Sequence, residues 1–142
     1  MKNIFLDTNV VIDFLADRKP FSYEAALLFN YAAESKIRLF ISAVSYNNIY
    51  YILRQSLSNN AAIHLLDELS ELADIADVTK QVIRQSLKSR FKDFEDAIQY
   101  NCALNIPKLE VVVTRDTKDF KKSILPVMTP GEIIGVLRND NK

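Results

Sequence analysis

The sequence predicts an α/β fold, a mostly parallel sheet with helices on both faces. Three observations carry that expectation. Short apolar runs alternate along the chain with longer segments whose apolar residues recur at helical spacing. Two of those runs, Ile4-Phe5-Leu6 and Val111-Val112-Val113, are apolar at every position, as in strands buried on both faces. A helical pattern begins directly after each of the first two runs, which fits strands linked by helical crossovers.

The first strand is Ile4 to Leu6, followed by Asp7 and the helix-start residues Thr8 and Asn9, then Val10, Val11, Phe14 and Leu15 at helical spacing. Asp17-Arg18-Lys19-Pro20 reads as a turn. Ser22 can cap a helix to about Ser35, with Ala25, Leu28, Phe29 and Ala32 on one face. Ile37 to Ile41 is the second strand, ended by Ser42. A long helix follows from Ala43 to about Leu57, carrying Val44, Asn48, Tyr51 and Ile52. Asn59 can cap a helix bearing Ile63, Leu66, Leu69 and Leu72. Asp74 to Val78 is a short strand, and Thr79 caps a helix with Val82, Ile83 and Leu87. Arg90-Phe91-Lys92 is a connector. Asp93 opens a helix to about Leu104, with Asp93 and Asp96 spaced as a variant of the capping box. Leu109 to Thr114 is the clearest strand, and Arg115 to Lys122 a basic helical turn. Leu125 to Met128 is an edge strand, because Pro126 cannot donate to a ladder. Thr129-Pro130-Gly131-Glu132 places an N-cap, a proline at N1 and a glutamate at N3, so the last helix starts there. The tail from Arg138 to Lys142 is expected to fray.

Composition narrows the function. With 142 residues, 49% of them hydrophobic, the chain can bury a core as a single domain over residues 1–142. Eighteen basic residues balance eighteen acidic ones, so no global positive field marks a polyanion partner; only local patches can. Cys102 stands alone, which excludes an internal disulfide, fits a reducing cytoplasm and, with a single His, excludes a Cys/His zinc site. Only two glycines are present, so the glycine-rich phosphate loops are excluded. No secretory signal or membrane span is visible, and no membrane partner is expected.

Three acids share one kind of position. Asp7 follows the first strand, Asp116 follows the valine strand, and Asp96 lies in the first turn of the helix entering that strand. Ligands of open α/β sheets bind beyond the carboxyl ends of the strands. Clustered carboxylates repel unless a cation neutralises them, and all-oxygen donors point to Mg²⁺ or Mn²⁺. Taken singly, each acid is equally well explained as an N-cap or a helix-dipole partner. Their matched placement favours the metal site.

These residues carry a resemblance. Phe5-Leu6-Asp7-Thr8-Asn9-Val10, Asp96-Ala97-Ile98, Val113-Thr114-Arg115-Asp116 and Asp119-Phe120 together resemble the PIN domain family, over essentially the whole chain. The nearest group is the prokaryotic stand-alone PIN proteins similar to VapC toxins. The resemblance implies a three-layer α/β/α sandwich of about five strands in the order 3-2-1-4-5. It implies Mg²⁺- or Mn²⁺-dependent cleavage of RNA, with a small antitoxin protein as inhibitory partner and often a homodimer. By position, Asp7, Asp96 and Asp116 match the family's metal-binding acids, Asn9 its opening polar residue and Thr114 its hydroxyl before the last acid.

One departure stands out. The family's pattern Ile-Ser-Ala-x-x-x-x-Glu is met by Ile41-Ser42-Ala43, but its glutamate is replaced by Asn48. An amide can ligate through oxygen but brings no charge, so metal affinity should fall; Asp93, Glu95 and Asp119 are nearby acids that can compensate. Asn48 is read as a catalytic-site residue beside the three acids. Lys92 and Arg115, with Asn9 and Thr114, are the expected substrate-facing groups; Lys88 and Arg90, and Lys118, Lys121 and Lys122, extend the two basic groups around the site. Tyr46, Tyr50 and Tyr51 read as core or interface residues, with base stacking as the alternative. Two rival functions remain. One is a catalytically degenerate PIN-like module that binds RNA or protein. The other is a phosphatase with Asp7 as nucleophile, which needs a second acid where Asn9 stands.

Overall fold

Strands buried on both faces set up the fold. The computed structural model describes residues 1–140. Its strands are β1 (Lys2–Leu6), β2 (Ile37–Ser42), β3 (Asp74–Ala76), β4 (Val111–Val113) and β5 (Val127–Met128). All pairings are parallel, in the order β3-β2-β1-β4-β5. The helices are α1 (Thr8–Leu15), α2 (Ser22–Ala33), α3 (Ala43–Leu53), α4 (Asn59–Leu72), α5 (Lys80–Leu87), α6 (Phe94–Leu104) and α7 (Pro130–Asp140). A 3₁₀ turn covers Thr117–Phe120.

The period-two pleat divides the core. Ile4, Leu6, Leu39, Ile41, Val111 and Val113 point to one face, where they pack with apolar residues of α1, α2, α3, α4 and α7. Phe5, Phe40 and Val112 point to the other, where they meet Val82 of α5 and Ile98, Cys102 and Ala103 of α6. The result is the expected three-layer sandwich, with five helices on one face and two on the other.

Local signals mostly formed as read. Thr129 and Glu132 close a reciprocal capping box: Glu132 N donates to Thr129 Oγ1 (3.2 Å) and Thr129 N to Glu132 Oε1 (3.0 Å). Thr79 caps α5 and Asp93 caps α6 through their side-chain oxygens. The cap of α4 is Ser58, whose Oγ accepts from Ala61 N, and not Asn59, which is the first helical residue. Ser58 precedes the helix in extended conformation, and its short hydroxyl reaches the third amide. The third helix ends at Leu53, four residues short of the expected Leu57, and Arg54 Nη1 bonds back to the carbonyl of Leu57 in the turn that follows. The third and fourth strands are shorter than expected, because each pairs over only three residues. Arg138 to Asp140 continue α7, so the expected fraying does not begin there; residues 141 and 142 lie outside the described residues. No helix among the described residues is long and apolar enough to cross a membrane.

Strand order fixes where a ligand belongs. From β1 the chain steps outward to β2 and β3, then returns to the other side of β1 as β4 and β5. That reversal leaves a crevice between the carboxyl ends of β1 and β4. Register sets Leu6 beside Val113, and Asp7 N donates to Val113 O at 2.9 Å. Asp7 and Thr114 therefore emerge side by side.

Candidate active site

Asp7 combines both roles that its sequence position allows. Its backbone is extended and its Oδ1 accepts from Thr8 N at 2.9 Å, which caps α1. Its Oδ2 accepts from Thr114 Oγ1 at 2.8 Å, which ties it to β4. Thr114 is fully buried, and its oxygen also accepts from the backbone of Asp116 at 3.1 Å. Asn9, in the first turn of α1, donates through Nδ2 to Asp116 Oδ2 at 3.2 Å and to Thr114 Oγ1 at 3.4 Å. The side chains of Asp7, Asn9, Thr114 and Asp116 thus form one connected cluster across the reversal point.

Asp96 enters from α6, on the far side of the sheet edge. Asp93 caps that helix by accepting from Asp96 N at 3.0 Å, which is the structural role its position suggested. The carboxyl of Asp96 is pushed up to about 7, first by burial and then by the charges of Asp7, Asp93, Asp119 and Glu95. Burial raises Asp7 to about 6 against the opposing hydrogen bonds from Thr114 and Thr8, with Glu95 and Asp116 adding to the rise. The charges of Glu95 and Asp116 thus act on Asp7, and those of Asp7 and Glu95 on Asp96.

Asn48, on α3, does not stand alone at this edge. Its Nδ2 donates to Glu95 Oε1 at 2.6 Å. The amide therefore faces a carboxylate brought from α6.

Beneath the acids lies a buried polar knot. Gln99 Nε2 donates to Thr8 Oγ1 (2.9 Å) and Ser45 Oγ (2.8 Å), and those two hydroxyls bond each other at 2.7 Å. Thr8 follows Asp7, Ser45 is one turn before Asn48, and Gln99 is one turn after Asp96. The knot holds α1, α3 and α6 in the register that brings their polar residues to one edge.

The basic groups divide. Arg90, Lys92, Lys118, Lys121 and Lys122 line a cleft of about 750 Å³ together with Phe91, Asp93, Glu95, Asp96 and Asp119. Phe91 forms its floor against Tyr100 and Phe120, at ring separations of 5.1 and 5.9 Å. Arg115 goes elsewhere. Its Nε and Nη2 donate to the carboxylate of Asp13, at 2.6 and 3.3 Å, and its guanidinium lies 4.1 Å from the Phe21 ring centroid. Asp13 is 1% exposed and needs that cation, so Arg115, expected to face substrate, is a strut between α1 and the Thr114–Asp116 segment and lies outside the lining of this cleft. Tyr46 and Tyr50 pack on the core, while Tyr51 is exposed. Cys102 is buried, as a small core residue.

The donor set suits a hard divalent cation. It is all oxygen, it carries excess negative charge, and the buried Oδ1 of Asn9 has no hydrogen-bond partner. Among the described residues, no three Asp, Glu, His or Cys side chains stand so that together they could hold one ion.

The sequence matches the model of the PIN domain over residues 3–118. The chain belongs to the PIN domain family. Solved structures similar to this PIN domain include a toxin–antitoxin complex from Klebsiella pneumoniae, with 25% identity and a TM-score of 0.65, covering 89% of this chain and 97% of that one. The DNA-bound VapBC complex of Salmonella typhimurium has 17% identity and a TM-score of 0.67, covering 92% and 99%. VapC20 of Mycobacterium tuberculosis, a toxin that cleaves the sarcin-ricin loop, has 16% identity and a TM-score of 0.59, covering 77% and 86%. Among proteins of curated function, no sequence matches this one.

Three site features escaped the sequence reading. Asp13 is an acid on the buried face of α1, and its place among Val10 and Phe14 in the helical period was the available signal. Phe91, read only as part of a connector, forms the cleft floor. The bond between Asn48 and Glu95 joins positions 47 residues apart, which no local pattern reveals.

Proposed function

We propose that this PIN domain is a divalent-metal-dependent endoribonuclease that hydrolyses phosphodiester bonds of RNA, and that it is the toxin of a toxin–antitoxin pair. The observation that carries this reading is the hydrogen-bonded cluster of Asp7, Asn9, Thr114 and Asp116 at the reversal point of the sheet, with Asp96 near enough to feel the charge of Asp7, beside a cleft whose lining includes five cations. The five cations of that cleft, set beside its four acids, can follow a phosphate backbone, and Phe91 offers an aromatic face to an unpaired base. Asp7, Asp96 and Asp116 would hold the ion, in part through the waters that such an ion keeps, with Asn9 and Thr114 fixing Asp7 and Asp116. A bound Mg²⁺ or Mn²⁺ supplies charge stabilisation at the phosphoryl oxygens and lowers the pKa of a water at the site. Lys92, Lys118, Lys121 and Lys122 hold the substrate, and Thr114 keeps the Asp7 oxygens turned toward the crevice. Hydrolysis adds water to phosphorus and breaks one P–O bond to sugar, with no covalent link to the chain.

The similar VapBC and toxin–antitoxin structures support an antitoxin as partner; a small antitoxin protein, a homodimeric assembly and a cytoplasmic setting belong to the same reading. The alternative of a degenerate binding module is favoured by one observation, the amide at Asn48 in place of an acid. The phosphatase alternative loses ground because Asn9 Nδ2 is committed to Thr114 and Asp116 and has no acidic proton to give a leaving group. The test is incubation of the protein with mixed-sequence single-stranded RNA and Mg²⁺ or Mn²⁺. Cutting that vanishes with EDTA and in Asp96→Asn supports the nuclease. Binding without cutting supports the degenerate module.

A further inference from the structure

The departure at position 48 has a partner in space. Asn48 Nδ2 and Glu95 Oε1 are 2.6 Å apart, across the gap between α3 and α6. An amide group can donate to a carboxylate; a glutamate in the same place would set two like charges against each other. Glu95 borders the same cleft as its neighbour Asp96. α3 and α6 therefore exchange chemical roles at this point: the helix expected to bring an acid brings a donor, and the helix opposite brings the acid.

We propose that Glu95, held in place by Asn48, is a fourth functional carboxylate of the divalent-cation site, and that Asn48 is its positioning residue. The inference rests on the metal site proposed above. The total charge of four carboxylates is thereby kept, with one of them supplied from α6. Asn48 acts through its amide hydrogens and not through its oxygen. Position 48 then tolerates exchange only in step with position 95.

Binding of Mn²⁺ alone to the full chain, measured by isothermal titration calorimetry, tests this without reference to catalysis. Glu95 and Asn48 are surface-accessible enough for substitution without a core change, and circular dichroism confirms the fold of each variant. Glu95→Gln is expected to weaken Mn²⁺ binding at least about tenfold, and Asn48→Ala about tenfold through loss of the positioning bond. The isosteric exchange Asn48→Asp with Glu95→Gln, which reverses the amide and the acid, is expected to recover affinity to within about threefold of the starting protein. Asp96→Asn serves as the reference. Weak binding by Asp96→Asn together with undiminished binding by Glu95→Gln overturns the inference and leaves the metal site standing. Undiminished binding by Asn48→Ala overturns the positioning role. Failure of the exchanged pair to recover affinity overturns the idea that the two positions share one acid. Equal Mn²⁺ binding by the starting protein and Asp96→Asn overturns the site itself, and the inference with it.

Discussion

Asp7→Asn should make the metal-free protein more stable at pH values well above about 6 and cost it about 1 kcal/mol at acidic pH. Asp7 is 7% exposed, and its carboxyl holds a proton up to about pH 6 instead of 3.8. Between those values the folded state binds more protons than the unfolded state, so stability falls as pH rises through that window. The stability contributed by protonated Asp7 is complete below pH 3.8 and lost above about pH 6. Over that range the loss amounts to about 3 kcal/mol, at about 1.4 kcal/mol for each pH unit. An amide at position 7 keeps an acceptor for Thr8 N but offers Thr114 a weaker partner, which returns about 1 kcal/mol. The net gain at pH 8 is therefore about 2 kcal/mol. Urea unfolding in EDTA across pH 4 to 8 measures it. Mg²⁺ should then stabilise the starting protein and not the variant, by mass action on the folded state. An equal loss of stability by Asp7→Asn at both ends of the pH range would refute the desolvation argument.

Other perturbations follow from the same geometry. Asp13→Asn leaves the partly buried guanidinium of Arg115 without its counter-charge; because Arg115 is about a quarter exposed and can turn toward water, the cost in denaturant unfolding should be about 2–3 kcal/mol, at the low end for a broken buried pair. Thr8→Val keeps the shape but removes an oxygen that bonds both Gln99 and Ser45, and should cost about 1–3 kcal/mol by the same assay. Exchanging Lys121 and Lys122 for Gln should weaken RNA binding for all sequences alike and lower the slope of log affinity against log salt by about one for each phosphate no longer neutralised; an unchanged slope would remove the cleft from the RNA path.

The sequence was most legible where one residue's neighbours in sequence are also its neighbours in space. Ile4-Phe5-Leu6 and the valine run declared buried strands, and Thr129 with Glu132 declared a helix start, because strand burial and capping are local physics. Strand order 3-2-1-4-5 was implied by the family resemblance and is observed. Boundaries were less legible. Ser58 outcompetes Asn59 as a cap because the chain is already extended at Ser58, which is a matter of backbone path. Arg115 shows the limit most clearly. A cation between Thr114 and Asp116 looks substrate-facing until Asp13 is seen buried beside it, and only folding brings positions 13 and 115 together. The partnership of Asn48 with Glu95 was hidden for the same reason.

The central claim is that Asp7, Asp96 and Asp116 hold a divalent cation at the reversal point between β1 and β4. Anomalous diffraction from crystals of the protein grown with Mn²⁺ tests it most directly. The account predicts a strong Mn²⁺ peak at these carboxylates, bound directly or through its waters, and absent in Asp96→Asn. A Mn²⁺ peak bound elsewhere, with the three carboxylates free of metal, would contradict it.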